Sequence, residues 1–108
     1  MVEVNPESVI RARPFMCKAI VENHVSNLQR IFKANYPVNE PISSECGITP
    51  LMHCCAMGKT DCLIEIIEQG ADFTLRDRAG RTALHYCCKG GSQENLKLLL
   101  EKMPKDIF

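Results

Sequence analysis

The sequence has no tryptophan, few other aromatic residues and no excess of either charge. Its 108 residues include two tyrosines and four phenylalanines, and its 13 basic residues are matched by 13 acidic ones. A chain of this length forms one small domain, which argues against an enzyme whose active site lies in a cleft between two domains. Because the net charge is zero, no overall positive potential attracts nucleic acid or an anionic membrane, so we expect neither as a partner.

A long hydrophobic run is also missing. The longest stretch without a charged side chain is 46–58, which is 13 residues long and includes a histidine. A membrane-spanning helix needs about 20 mostly apolar residues. Charged residues from Glu3 to Lys18 also leave no room for the apolar part of a secretion signal. These absences predict a cytoplasmic protein, a nuclear protein or one found in both places, with no membrane partner.

The most informative feature that is present is an internal repeat. Residues 47–58 recur at 80–91, an offset of 33, and the match continues without a gap to residue 100. A fixed period between about 20 and 50 residues indicates stacked supersecondary units. A weaker copy precedes these two at an offset of 35, where Asn23 and Asn35 take the places of Gly58 and Gly70. Asparagine is the residue that best replaces glycine in left-handed backbone.

Each unit carries the signals of two short helices followed by a loop. Thr49 and Pro50 suit a helix start, and Gly58 suits its end after a helix that reaches about Ala56. A second helix is predicted from Thr60, with an apolar stripe that includes Ile66, and a turn-rich finger follows over 71–80. Two helices and a loop cannot bury their own apolar faces, so the units must stack.

The unit resembles the ankyrin repeat. The resemblance lies in Thr49-Pro50-Leu51-Met52, in Thr82-Ala83-Leu84-His85, and in Gly70-Ala71-Asp72 ahead of Asp77-Arg78-Ala79-Gly80. It implies an all-α solenoid of helix-turn-helix units whose finger loops project at right angles to the helix pairs. It also implies a hydrogen bond from His85 that ties neighbouring fingers, and protein–protein recognition without catalysis.

This resemblance divides the chain into four parts. Residues 1–13 form an N-terminal segment with a short helix over 6–13, and 14–46 form an atypical capping repeat. Residues 47–79 and 80–108 are ankyrin-like repeats, and we expect the last of them to be truncated. Apolar residues persist at the stacking positions of the last repeat, such as Leu84 and Leu96. We therefore expect either further repeats beyond Phe108 or a partner molecule on this C-terminal stacking face.

Seven cysteines raise the questions of disulfides and of metal. Their number is odd, and Cys54-Cys55 and Cys87-Cys88 are adjacent pairs, which favours reduced thiols. Neighbouring helix residues point about 100° apart, and stacked helices lie about 8–10 Å apart, so four sulfurs cannot surround one zinc ion. We expect these cysteines to be small buried residues between helices. A redox-sensitive regulatory thiol remains the alternative.

No motif for catalysis or for a cofactor occurs. Neither His53 nor His85 has a nucleophile and an orienting carboxylate at a recognisable spacing. The glycines fit neither a dinucleotide-binding nor a phosphate-binding loop. We therefore expect no enzymatic activity, no metal and no cofactor.

The surface expected to bind a partner follows from the contact positions that the resemblance implies. Arg76, Arg78 and Arg81 surround the second finger, where they are either balanced by Asp72 and Asp77 in a solvated loop or available to an acidic segment of another protein. Ile48 and Met57 are expected to be exposed apolar anchors. A scaffold, adaptor or inhibitor would use these sites, whereas a fragment of a longer array would only stack. The full set of predicted contact residues is Glu45, Cys46, Ile48, Ala56, Met57, Arg78, Ala79, Arg81, Lys89 and Gly90.

Overall fold

Six helices and no strand make up the described part of the chain. The computed structural model describes residues 6–43, 45–90 and 92–102. The helices are α1 (Pro6–Val21), α2 (Val25–Lys33), α3 (Pro50–Met57), α4 (Thr60–Glu68), α5 (Ala83–Gly90) and α6 (Gln93–Lys102). None of these helices is long and apolar enough to cross a membrane.

The helices stack in two layers, as the repeat predicts. Consecutive helices pack as three pairs, α1 with α2, α3 with α4 and α5 with α6. The first helices of the pairs form one layer, α1–α3–α5, and the second helices form the other, α2–α4–α6. The fully buried residues Ile20, Leu28, Leu51, Leu63 and Ile66 lie within this stack. The chain is therefore an all-α solenoid whose core is shared between successive pairs.

Local signals start and end the helices of the second pair where the sequence predicts. The Thr49 hydroxyl accepts a hydrogen bond from the Met52 N–H at 3.4 Å, and Pro50 is the first residue of α3. Gly58 ends this helix with a φ of +69°. The observed helix reaches Met57, one residue further than predicted.

The two asparagines of the first pair adopt the backbone that glycine adopts in the second. Asn23 has a φ of +58° and Asn35 a φ of +73°, while the equivalent Gly58 and Gly70 have +69° and +89°. The offset of 35 residues is therefore correct in structure as well as in sequence. The first pair turns at the same two points as the second.

The N-terminal helix differs from the expectation. A short helix over 6–13 and a separate repeat from residue 14 are predicted, but α1 runs unbroken from Pro6 to Val21 and contains Pro14. A proline inside a helix removes one backbone hydrogen bond. Val9, Met16 and Ile20 are all buried on this helix, and their shared burial against the core outweighs that loss.

Backbone hydrogen bonds close the two fingers and join them to each other. We call 36–48 the first finger and 71–81 the second finger. The Ile42 N–H donates to the Ile48 carbonyl at 2.8 Å, and the Asp77 N–H donates to the Arg81 carbonyl at 2.9 Å. Between the fingers, the Arg78 N–H donates to the Cys46 carbonyl at 2.9 Å. The finger tips are thus held in a fixed relation.

Candidate partner-binding surface

The ten predicted contact residues lie on the two fingers and on α3 and α5. The bond between Arg78 and Cys46 brings the two fingers side by side. Close contact of Gly90 with Ala56 does the same for the ends of the two helices. Seven of the ten are exposed and three are partly buried. The exposed ones are Glu45, Cys46, Met57, Arg78, Ala79, Lys89 and Gly90, and the partly buried ones are Ile48, Ala56 and Arg81.

Ile48 is not the exposed anchor that the sequence predicts. Its side chain is partly buried and packs against the hydrophobic core, and its carbonyl accepts the bond that closes the first finger. The finger folds back onto the helices at this point, which covers the side chain. Met57 is 42% exposed, so it alone of the two predicted anchors presents a large apolar surface.

Arg81 stabilises the fold of the second finger. Its Nε donates to Asp77 Oδ2 at 2.9 Å, and its guanidinium lies 5.2 Å from the centre of the Tyr86 ring. The Tyr86 hydroxyl donates to the same Asp77 oxygen. The charge of Arg81 therefore neutralises a buried carboxylate, and its role in binding a partner stays a prediction.

Asp77 organises the second finger from inside. Its Oδ1 accepts from the backbone N–H groups of Ala79 at 2.9 Å and Arg81 at 2.8 Å, and its side chain has no exposed surface. The hydrogen bond from Tyr86, together with those from the backbone and side chain of Arg81, lowers the pKa of Asp77 to about 2. Asp77 does balance Arg81, as expected. The expectation that it is solvated is wrong, because the turn needs its oxygens as acceptors.

Asp72 does lie in solvent, as the balanced-loop interpretation predicts. Its Oδ1 accepts from the Thr74 hydroxyl at 2.6 Å and from the Thr74 N–H at 2.8 Å. These two hydrogen bonds, the hydroxyl first, lower the pKa of Asp72. With Asp77 paired to Arg81, the exposed Arg76 and Arg78 have no ion-pair partner among the described residues. The tip of the second finger therefore carries two available guanidinium groups.

Gly90 has a packing role in addition to its assignment as a contact residue, which stays a prediction. A Cβ at this position would lie 2.6 Å from the Cys55 carbonyl oxygen and 3.0 Å from that of Ala56. Atoms do not approach so closely without a shift of backbone. The absence of a side chain at Gly90 lets the end of α5 lie directly against α3.

Four of the seven cysteines are buried, Cys17 is partly buried, and two are exposed. Cys54, Cys55, Cys62 and Cys87 are buried, as the packing interpretation predicts for three of them. Cys88 is exposed, against expectation, because the face of α5 that corresponds to the covered face of α3 has no helix on it in the described structure. The other exposed thiol is Cys46 on the first finger.

Thiol contacts link the buried cysteines in two pairs. Cys54 meets Cys62 within one repeat, and Cys55 meets Cys87 across two repeats. Burial raises the pKa of Cys54, and the hydrogen bond with Cys87 together with burial raises that of Cys55. Cys54 and Cys55 therefore resist ionisation, whereas the same hydrogen bonds lower the pKa of their partners Cys62 and Cys87. Among the described residues no group of three or more histidine, cysteine, aspartate or glutamate side chains could hold a metal ion.

His85 does not make the tie between fingers that the resemblance implies. Its side chain is exposed and it makes no hydrogen bond to the described residues. The equivalent Met52 is 1% exposed, because the third helix pair covers that face of the second. The fingers are instead joined by the Arg78 bond and by the Asp72 N–H, which donates to Asn39 Oδ1 at 2.8 Å.

Two residues that matter for this surface escaped the sequence analysis. Tyr86 donates a hydrogen bond to Asp77, nine residues earlier in the sequence, and no local sequence pattern predicts this contact. Asn95 is fully buried and joins the third repeat to the second. The Asp77–Arg81 pair had a readable signal, since opposite charges four residues apart commonly meet.

Comparison with known proteins agrees with this architecture. Residues 15–107 match a family model described as ankyrin repeats in three copies. The chain is 33% identical to human inversin over 93 residues, which is 82% of this chain and 9% of inversin. It is 35% identical over 86 residues to the ADP-ribosylation factor GTPase-activating protein AGD4 of Arabidopsis thaliana, covering 79% of this chain and 11% of that protein. It thus spans about a tenth of the length of these relatives.

Proposed function

This chain belongs to the ankyrin-repeat family, and we propose that it binds an acidic segment of another protein through its fingers and the adjacent ends of α3 and α5. Ankyrin repeats are generally protein–protein interaction modules, and the family is typically non-catalytic. The proposed surface consists of the exposed contact residues described above together with Arg76. Here we call it the finger surface.

The observation that carries the proposal is the pair of available arginines on a rigid loop. Arg76 and Arg78 are exposed, and neither pairs with a described acidic residue. The Arg78 backbone is fixed to Cys46, so little further ordering of the loop is needed when a partner binds. Guanidinium groups bind carboxylates with two parallel hydrogen bonds, which favours an acidic partner.

Apolar area next to these charges supports the same interpretation. Met57 is 42% exposed at the end of α3, and Lys89 is exposed near the end of α5. Protein interfaces commonly combine an apolar anchor with arginines that fix orientation. The partner segment is therefore expected to place one apolar side chain among its carboxylates.

The test is a charge reversal at the two available arginines. Arg76→Glu with Arg78→Glu should remove the proteins that the unmodified chain captures from a cell lysate, as identified by mass spectrometry. A charge-matched control, Lys33→Glu with Lys97→Glu, changes two exposed lysines on α2 and α6. This lysine control should retain the captured proteins.

Both variants should keep the circular dichroism spectrum of the unmodified chain, because none of the four residues is buried. Capture that survives the arginine reversal, or is lost equally in the control, would contradict the proposal. Arg81 is left unchanged in this experiment because it stabilises Asp77.

A further inference from the structure

Two equivalent hydrogen bonds join the second helix of one repeat to the first helix of the preceding repeat. Asn95 Nδ2 on α6 donates to the Cys54 carbonyl on α3 at 3.4 Å, and Cys62 Sγ on α4 donates to the Ala19 carbonyl on α1 at 3.7 Å. Asn95 and Cys62 are 33 residues apart, and Cys54 and Ala19 are 35 apart, which are the two repeat offsets. The later repeat thus donates to the earlier repeat at the same position each time.

Asn27 is the corresponding residue of the first repeat, 35 positions before Cys62. Its side chain is exposed and has no hydrogen-bond partner among the described residues. Asn95, by contrast, is fully buried, and its Oδ1 also accepts from the Thr60 hydroxyl at 2.6 Å. The Asn27 side chain therefore lies at the position of the inter-repeat donor, but no acceptor for it is present among the described residues.

A groove of about 400 Å³ lies beside Asn27, between α1 and α2. The same positions in the other repeats are largely buried, because the preceding helix pair covers them. They include Pro50, Cys54, Cys62, Glu65 and Ile66 in the second repeat. The groove is thus the surface on which a helix packs in the rest of the stack, and it is lined by Phe15, Lys18, Ala19, Glu22, Asn27, Arg30 and Ile31.

Charge decides what can occupy this groove. Lys18 and Arg30 are exposed on its two sides and have no ion pair among the described residues. The groove's carboxylate, Glu22, lies 3.4 Å from His24 Nε2. An apolar repeat face, such as that of Leu84 and Leu96, would bury both cations without a partner, which is costly. An occupant with carboxylates at its edges would instead pair with them.

Apolar surface in the groove indicates that the occupant is amphipathic. Phe15 is 67% exposed, and Ile31 is partly buried beside it. We propose that this groove binds an acidic amphipathic helix of another polypeptide. The helix places apolar side chains on Phe15 and Ile31, carboxylates on Lys18 and Arg30, and a backbone carbonyl on the Asn27 amide. The site is separate from the finger surface and does not depend on it.

Two synthetic peptides test this inference. Both are about 18 residues long, which gives an isolated helix a reasonable population, and share one apolar stripe. One carries glutamate beside the stripe and the other carries lysine. In a fluorescence-anisotropy titration against the full chain, the acidic peptide should bind at least about tenfold more tightly than the basic one.

Variants of the groove should change this preference in a specific way. Lys18→Glu with Arg30→Glu should reverse the order of the two peptides, and Asn27→Ala should weaken the acidic peptide about fivefold. The Lys33→Glu, Lys97→Glu control and the Arg76→Glu, Arg78→Glu variant should bind it as the unmodified chain does. All variants change exposed side chains, and circular dichroism checks that each one folds.

Three outcomes would overturn the proposal. One is equal binding of the two peptides. A second is loss of binding in the Arg76→Glu, Arg78→Glu variant, which would place the peptide on the finger surface. The third is concentration-dependent self-association by sedimentation that Phe15→Ser abolishes, which would make a second copy of the chain the occupant.

Discussion

Asp77 shows how a single residue can set the shape of a binding loop. Its carboxylate accepts hydrogen bonds from two backbone N–H groups of the second finger and from the side chains of Arg81 and Tyr86. The finger therefore turns around a buried negative charge. The two neighbouring arginines, Arg76 and Arg78, remain outside and keep their charge available.

Asp77→Asn is expected to destabilise the protein in a pH-dependent manner. The folded-state pKa of about 2 lies below the ordinary value of 3.8. The stabilising contribution of the carboxylate is therefore fully present above about pH 4 and is lost as the pH falls through about 2. Urea unfolding from pH 6 to pH 2 should show the difference between the two proteins shrinking with acidity.

Tyr86→Phe serves as the matched control for this experiment. It removes the hydroxyl that contributes most to the lowered pKa of Asp77 but keeps the carboxylate. Its pH dependence should fall between those of the unmodified protein and Asp77→Asn. A constant stability difference across the pH range would show that Asp77 acts through packing alone.

At the scale of the helix pair, each hydrogen bond between successive repeats is donated by one buried side chain, Cys62 or Asn95. We call these two contacts the joints. Asn95→Ala removes the side-chain donor to the Cys54 carbonyl, which keeps its backbone donors Gly58 and Lys59. It also removes the acceptor of the 2.6 Å bond from Thr60. We expect it to lower the free energy of unfolding by about 1–3 kcal/mol. Chemical denaturation followed by circular dichroism measures this difference.

Asn95→Cys provides the comparison that the chain itself suggests. Cysteine at the equivalent position 62 donates to the Ala19 carbonyl. The cysteine variant should therefore be more stable than the alanine variant, because it restores a weak donor to the Cys54 carbonyl. Equal stability of the two variants would mean that side-chain volume, rather than the hydrogen bond, stabilises the joint.

The same scale shows which features sequence reasoning could reach. The helices of the second repeat were predictable because their signals, Thr49-Pro50 and Gly58, act on neighbouring residues. The continuity of α1 was not, because the cost of Pro14 is local while the burial that offsets it comes from other helices. For the same reason the packing roles of Ile48 and Gly90 were not predicted, because they depend on contacts with other segments.

For the whole molecule, thiol reactivity reports how closely the repeats stack. Cys46 and Cys88 are exposed, whereas Cys54, Cys55 and Cys87 are buried. In the native state a thiol reagent should modify the two exposed cysteines rapidly. The buried cysteines, these three and Cys62, should react at least about a thousandfold more slowly, because they need unfolding first.

A double variant, Cys46→Ser with Cys88→Ser, removes the two exposed thiols and so isolates the reaction of the others. It should lose the rapid modification of Cys46 and Cys88 and keep the slow modification of the buried cysteines, as measured by mass spectrometry of time points. The partly buried Cys17 is followed separately by its own peptide. Rapid modification of Cys54, Cys55 or Cys87 in that variant would instead support the alternative of a thiol-regulated protein.

The direction of the joints limits how such units can be recombined. At both joints the donor belongs to the later unit and the acceptor to the earlier one. Each unit therefore has two different faces, one that carries the side-chain donor and one that carries the carbonyl acceptor. A unit that is transplanted into a different array can change its place in the order but cannot be reversed. In a reversed unit two donors or two acceptors would face each other.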